Sequence, residues 1–310
     1  MAGRPGAEAR VAEFLAARYG GRAGPPQPLA AGEWSRAFAF TLDGRGAVAR
    51  FGAHGEDFAK DRAMAAHRSP DLPIPQVWEV GETPWGESYA VSERADGVLL
   101  DGLDGAGLRR VLPRLLAALR AMGRIAVPAG AGFGGWGPGG TAPSRHWRQA
   151  LWDTADDRRL PGWRAALAGS PTGAGPHDAA LGRLRALGAD LPDVRQVVHC
   201  DLLHDNVLVR GAEVTAVLDW GNSLYGDALY DAAWLLYWWP WYPAWAEIDI
   251  GAELRRHWAA EGGLPPDGER RLLCYQLHIG ASHMAYSAYT GRWDDLARNA
   301  AQTLALLGRA

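Results

Sequence analysis

The sequence predicts an α+β fold in two lobes. A small N-terminal lobe with an antiparallel sheet is expected over residues 1–97, and a larger, mostly helical C-terminal lobe over residues 98–310. Three observations carry this expectation. Short runs rich in β-branched and aromatic residues cluster before residue 95, with turn residues between them. Beyond about residue 98 the apolar residues recur at helical spacing. The chain has 310 residues, 48% of them hydrophobic and 22% charged, which is an ordinary globular composition with length enough for two cores.

The elements follow in order. "AEARVAEFLAARY" (7–19) has the spacing of a short amphipathic helix. "GGRAGPPQPLAAGE" then breaks regular structure. "SRAFAFTL" and "GAVARF" are expected as two strands joined at Asp43-Gly44, a strong hairpin signal. "EDFAKDRAMAAHR" reads as a helix, and "LPIPQVWEVGET" and "ESYAVSE" as two further strands. In the second lobe "GAGLRRVLPRLLAALRAMGRI" is helical. Residues 128–144 form a Gly/Pro loop too aromatic for a simple linker, and helices are expected around 145–168 and 177–187. "VTAVLDW" is a strand, and the chain from Ala228 onward is mostly helical.

Composition excludes several classes of function. A formal net charge of −3 advertises no basic surface for nucleic acid or anionic membranes. The two cysteines, Cys200 and Cys274, offer neither a disulfide framework nor a cysteine-ligated zinc site. The first residues are charged and lack the apolar core of a secretory signal, and no run of apolar residues is long enough to span a bilayer. A monomer in the cytoplasm is expected. Lys60 is the chain's sole lysine.

The chemistry concentrates in "VVHCDLLHDNVLV" (197–209) and the strand after it. Val207–Val209 and Val214–Leu218 read as a hairpin about a polar turn at Arg210–Glu213. Asn206 and Asp219 then emerge at the same open end, offset by about two residues, or roughly 7 Å. An amide oxygen with a carboxylate, and no soft ligand, suits a hard ion such as Mg²⁺. Asp201 lies on the loop just before. The set suggests phosphoryl transfer, with Mg²⁺ on Asn206 and Asp219 neutralising a triphosphate and Asp201 as the base that takes the acceptor hydroxyl's proton. A metal-dependent hydrolase using His199, Asp201, His204 and Asp219 is the competing reading, but it leaves Asn206 unexplained.

The order His199, Asp201, Asn206, then Asp219-Trp220, resembles the catalytic loop of the aminoglycoside phosphotransferases, which share a bilobal protein-kinase-like fold. "DWGNSLYGDALYDAAW" is similar to that family through Asp219, Gly226, Asp227 and Asp231. "GEWSRAFAF", "FAKDR", "LPIPQV", "GFGGWGPGG", "YGDALYD" and "GRWDDLA" resemble, in order, segments of the branch that acts on hygromycin B, so the likeness runs from about residue 10 to 305. The resemblance implies ATP-dependent phosphorylation of an aminoglycoside or aminocyclitol, hygromycin B at its 4-hydroxyl, with ATP and Mg²⁺ as cofactors. A kinase of another hydroxylated antibiotic or small metabolite is the alternative.

The same resemblance implies the binding residues. "AAGEWSRAF" would cover the nucleotide, with Ser35 as a phosphate donor, and the hinge backbone at Glu93 and Ala95 would meet the adenine edge. The family's nucleotide lysine appears here as Arg50. Either Arg50 contacts the phosphates and pairs with Asp61, or Lys60 reaches them itself. On the acceptor side a polycationic sugar calls for acidic groups and flat faces. Asn222, Asp231 and one or more of Trp238, Trp239 and Trp241 are candidates, with Asp153, Asp156 and Asp157 as further sources of charge. His278 and His283 are expected as core or rim residues. Cys200 stands where many relatives have glycine, so residue 200 is expected at ordinary negative φ with a structural thiol.

Overall fold

A computed structural model describes residues 6–153, 158–260 and 262–308. In chain order the elements are α1 (Ala7–Tyr19), β1 (Gln27–Ala31), β2 (Ser35–Leu42), β3 (Arg45–Gly52), α2 (Gly55–Ala65), β4 (Val77–Glu82), β5 (Ser88–Glu93) and β6 (Val98–Leu99). They continue with α3 (Gly105–Gly123), β7 (Gly134–Gly135), α4 (Trp147–Trp152), α5 (Trp163–Ala168), α6 (Gly175–Leu187) and β8 (Gln196–Val198). The last are β9 (Val207–Arg210), β10 (Glu213–Val217), β11 (Leu224–Gly226), α7 (Leu229–Trp238), α8 (Ile250–Ala259), α9 (Gly268–Thr290) and α10 (Trp293–Leu307). The chain divides into two compact units. One holds the residues up to Gly102 together with His204–Asn222, and the other holds Leu103–Leu203 and the residues from Ser223 onward.

The first unit is built on an antiparallel sheet of five strands in the order β1-β2-β3-β5-β4. Asp43 and Gly44 both take positive φ (52° and 75°), the twist that a two-residue hairpin turn requires. The period of two in β3 sends Ala47, Ala49 and Phe51 to one face, where Val11, Phe14 and Leu15 of α1 meet them. Fully burying a side chain such as Phe51 stabilises by about 1.5–3 kcal/mol. Arg50, on the opposite face of β3, meets α2. The stretch read as irregular between residues 20 and 33 contains β1. Its prolines suit it to the edge of the sheet, and it pairs only with β2. A second sheet, β10-β9-β6, completes this unit.

The second unit is helical around α9, which packs against α5, α6, α7 and α10. Asp104 caps α3 by accepting from the Gly107 amide at 2.7 Å. Its small sheet, β7-β11-β8, draws β7 from the Gly/Pro loop, and Trp136 stacks on Tyr225 at 5.3 Å. Gly226 is needed in β11 because a Cβ there would lie 2.6 Å from the Trp147 ring. Among the described residues no helix is long and apolar enough to cross a membrane.

Candidate active site

The hairpin β9–β10 positions the first two groups. Arg210 pairs with Glu213 across the expected turn, but the register slips between Val214 and Ala216, so Val207 faces Val217. The Leu218 amide donates to the Asn206 carbonyl at 2.8 Å. Asp219 is therefore one residue beyond the position opposite Asn206, not two, and the offset along the strand is about 3.4 Å. The bulge at Thr215 is the physical reason. Asn206 is 8% exposed and Asp219 is exposed. Both offer hard oxygen donors, which fits a magnesium ion. Among the described residues no three His, Cys, Asp or Glu side chains converge on a metal-sized site, so the imidazole and carboxylate cage of a hydrolase is not formed.

Helix α2 grips the segment that follows. Arg50 is ion-paired with Asp61, whose other oxygen accepts from the Trp220 amide at 2.8 Å. Burial favours a neutral guanidinium, but the Asp61 and Asp219 carboxylates outweigh it and hold Arg50 above its ordinary value. Lys60 is 5% exposed, and its Nζ donates to the Gly221 carbonyl at 2.8 Å. Ser35 is half-buried and opens β2 opposite Gly52. At the expected hinge, the Glu93 amide donates to Gln76 O at 2.8 Å, and the Glu93 carboxylate pairs with Arg68. The Ala95 amide makes no hydrogen bond among the described residues.

In the other unit, Asp201 is half-buried on the loop after β8. Asp231, expected at the acceptor, is 1% exposed. Its two oxygens accept the amides of His199 at 2.8 Å and Cys200 at 2.9 Å. This corrects the expectation: both oxygens are committed to bracing the loop that carries Asp201. Burial pushes the Asp231 carboxyl up, against the pull of the His199 side chain and the two amides. Cys200 has φ 66°, so the expectation of ordinary φ is also overturned; the two bonds to Asp231 hold cysteine where glycine would sit without strain. Of the five non-glycine residues at positive φ among those described, four (Cys200, His204, Asp205 and Asp219) fall within this one stretch. Each costs about 1–2 kcal/mol, a concentration of strain typical of functional loops.

A buried polar chain leads from Cys200. The Tyr230 hydroxyl neighbours the Cys200 thiol and lies 2.7 Å from His278 Nδ1, while His278 Nε2 lies 3.1 Å from the Asp153 carbonyl. A carbonyl only accepts, so Nε2 carries the hydrogen and Tyr230 donates to Nδ1. Burial lowers the His278 pKa to about 4. Nearby, Asp227 is 1% exposed and accepts from Arg271 Nε at 2.7 Å and Tyr275 Oη at 2.5 Å. Sequence reasoning missed Tyr230, Arg271 and Tyr275, because an apolar helical pattern gives no sign that one of its members bonds a distant loop.

The acceptor candidates separate by burial. Trp238 and Trp239 are 5% and 6% exposed and packed in the core, with Trp239 Nε1 donating to Ile248 O at 3.0 Å. Trp241 is half-buried, with Arg298 over its ring at 4.0 Å. Asn222 and Asp153 are exposed, and Asp156 and Asp157 lie outside the described residues.

Comparison with known proteins matches this framework. A crystal structure of a thermostable mutant of aminoglycoside phosphotransferase APH(4)-Ia, a ternary complex with AMP-PNP and hygromycin B, has a TM-score of 0.83 at 31% identity and covers 96% of this chain and 97% of that one. The GDP complex of aminoglycoside 2'-phosphotransferase-IIIa, at 13% identity and a TM-score of 0.64 over 98% of this chain and 99% of that one, shares the fold. A hygromycin-B 4-O-kinase of Escherichia coli is 34% identical over 272 residues, 87% of this chain and 76% of that protein. The model of the phosphotransferase enzyme family matches residues 26–271, and the chain belongs to that family of aminoglycoside phosphotransferases.

Proposed function

We propose that this protein is an ATP-dependent O-phosphotransferase that inactivates an aminoglycoside or aminocyclitol antibiotic, hygromycin B at the 4-hydroxyl, acting as a cytoplasmic monomer. The observation that carries the proposal is the hairpin, whose bulge brings Asn206 and Asp219 to adjacent places at one open end, five residues after Asp201 in the chain. Residues 1–97 serve the nucleotide and 98–310 the catalysis and acceptor, although the hairpin that would bind the metal packs within the first compact unit.

Each residue then has a role. Asp201 accepts the proton of the attacking hydroxyl, a contribution of about 10²–10⁴-fold. Asn206 and Asp219 would hold Mg²⁺, which would supply charge neutralisation at the triphosphate. Arg50, held by Asp61, meets the phosphates with Ser35, and the free amide of Ala95 beside Glu93 meets the adenine edge. Trp241 and Asn222 face the acceptor, and Trp238 and Trp239 support Trp241 from the core.

The test is ADP release with ATP, Mg²⁺ and a panel of aminoglycosides. Hygromycin B should be the preferred acceptor, with a single phosphate on its 4-hydroxyl by NMR. Turnover with none of the panel would refute the proposal. Asp201→Ala should lower kcat by about 10²–10⁴-fold while the protein stays folded; a variant within tenfold of the parent would remove Asp201 from the role of base.

A further inference from the structure

We infer that Lys60, the chain's only lysine, is a positioning residue for the metal-binding segment Asp219–Gly221 and not a phosphate anchor. The inference rests on the phosphotransferase reading above. Lys60 and Asp61 are neighbours on α2, and they hold successive backbone groups of one segment: Asp61 Oδ1 takes the Trp220 amide at 2.8 Å, and Lys60 Nζ donates to the Gly221 carbonyl at 2.8 Å. The peptides on both sides of the Trp220–Gly221 bond are thereby fixed from the same helix. Asp57, one turn earlier, closes over the segment from above. A Cβ built on Gly221 would lie 2.8 Å from the Asp57 carboxyl carbon, so only glycine lets the chain come this close to α2.

The segment needs holding. Asp219 sits at φ 57°, in the left-handed region. Its side chain is exposed, and Oδ1 accepts from the Gly221 amide at 3.4 Å, so the carboxylate takes its direction from the same backbone segment that α2 holds. On the near side the segment is held by the Leu218 amide on Asn206 O, and on the far side by the grip of α2. Lys60 itself is 5% exposed, and its ammonium donates to a backbone carbonyl of the segment it is argued to position. Arg50, on the strand that carries the family's nucleotide cation, is left with that duty.

Binding of a fluorescent ATP analogue, with EDTA and over a Mg²⁺ titration, tests this in the full chain alongside steady-state kinetics. Lys60→Met should raise the Mg²⁺ concentration needed for half-maximal nucleotide binding by about tenfold, the effect of losing one charged hydrogen bond. It should leave affinity for the metal-free nucleotide within about twofold of the parent. Lys60→Arg, whose guanidinium also donates, should recover part of the loss. Gly221→Ala leaves the ammonium intact, yet its methyl group must push the carbonyl away from α2, and it should reproduce the Mg²⁺ shift. It carries the test if Lys60→Met does not fold. An unchanged Mg²⁺ midpoint in these variants, or a loss of metal-free nucleotide affinity as large as the loss with Mg²⁺, overturns the inference. A parent protein that binds no nucleotide refutes the phosphotransferase reading itself.

Discussion

Replacing His278 with glutamine isolates one buried proton equilibrium. The ring is 7% exposed and its pKa is lowered from the ordinary 6.5 to about 4 because burial disfavours the imidazolium. The unfolded chain therefore takes up a proton near pH 6.5 that the folded protein refuses until near pH 4. The neutral ring's contribution to stability is fully present above pH 6.5 and is lost as pH falls toward 4. Over the whole interval the loss is about 3 kcal/mol, and by pH 5 it is about 2 kcal/mol. Glutamine retains a donor for the Asp153 carbonyl and an acceptor for Tyr230 but does not titrate. Urea unfolding of both proteins at pH 7.5 and pH 5 is the assay. Acidic residues common to the two cancel in the comparison, and the parent should lose about 2 kcal/mol more than the variant. Equal losses would show that the ring titrates normally, and would refute the burial argument.

Other perturbations have equally definite outcomes. Arg271→Leu strands the Asp227 carboxylate at 1% exposure and should destabilise by about 3–5 kcal/mol in urea unfolding, whereas the double change Arg271→Leu with Asp227→Asn should recover part of that. Cys200→Gly removes left-handed strain but gives up the thiol contact and gains unfolded-state freedom, so its stability should stay within about 1 kcal/mol of the parent. Cys200→Val should cost more than about 2 kcal/mol, measured the same way, because a β-branched residue resists φ 66°. Asp231→Ala leaves the His199 and Cys200 amides without acceptors and should lower kcat more than it raises KM for ATP, since it loosens the loop carrying Asp201 and not the nucleotide contacts.

The parts legible in the sequence are those where one local rule dominates. Asp43-Gly44 specified its hairpin because both residues tolerate positive φ, and α1 was bounded correctly by its periodicity. The candidate site was nominated from the order of its residues alone. Its geometry was less legible. The bulge in β10 leaves no mark in "VTAV", so the offset between Asn206 and Asp219 came out one residue too long. β1 was hidden because Pro28 within it and the two prolines before it speak of turns, and only pairing with β2 makes an edge strand of it. Asp231 looked like a substrate contact because it is acidic and close to the site in sequence, yet the demand of two buried amides claims it. The left-handed Cys200 was invisible for the same reason: tertiary hydrogen bonds impose a conformation that intrinsic preference opposes.

The division of the chain has a consequence for its birth on the ribosome. The unit built on the five-stranded sheet is completed by residues 204–222, which supply β9 and β10 and, through Val217 on Pro73 and Gly221 on Lys60, hold α2 and the loop after it. All of Leu103–Leu203 must be translated between its two parts. At about 5–20 residues per second, roughly 5–20 s separate emergence of the sheet from arrival of the hairpin that finishes it. During that interval β6 has no β9 to pair with, and the nascent N-terminal segment is a client for chaperones. A gene fragment ending near Gly102 should therefore give an aggregating polypeptide instead of a separable nucleotide-binding module.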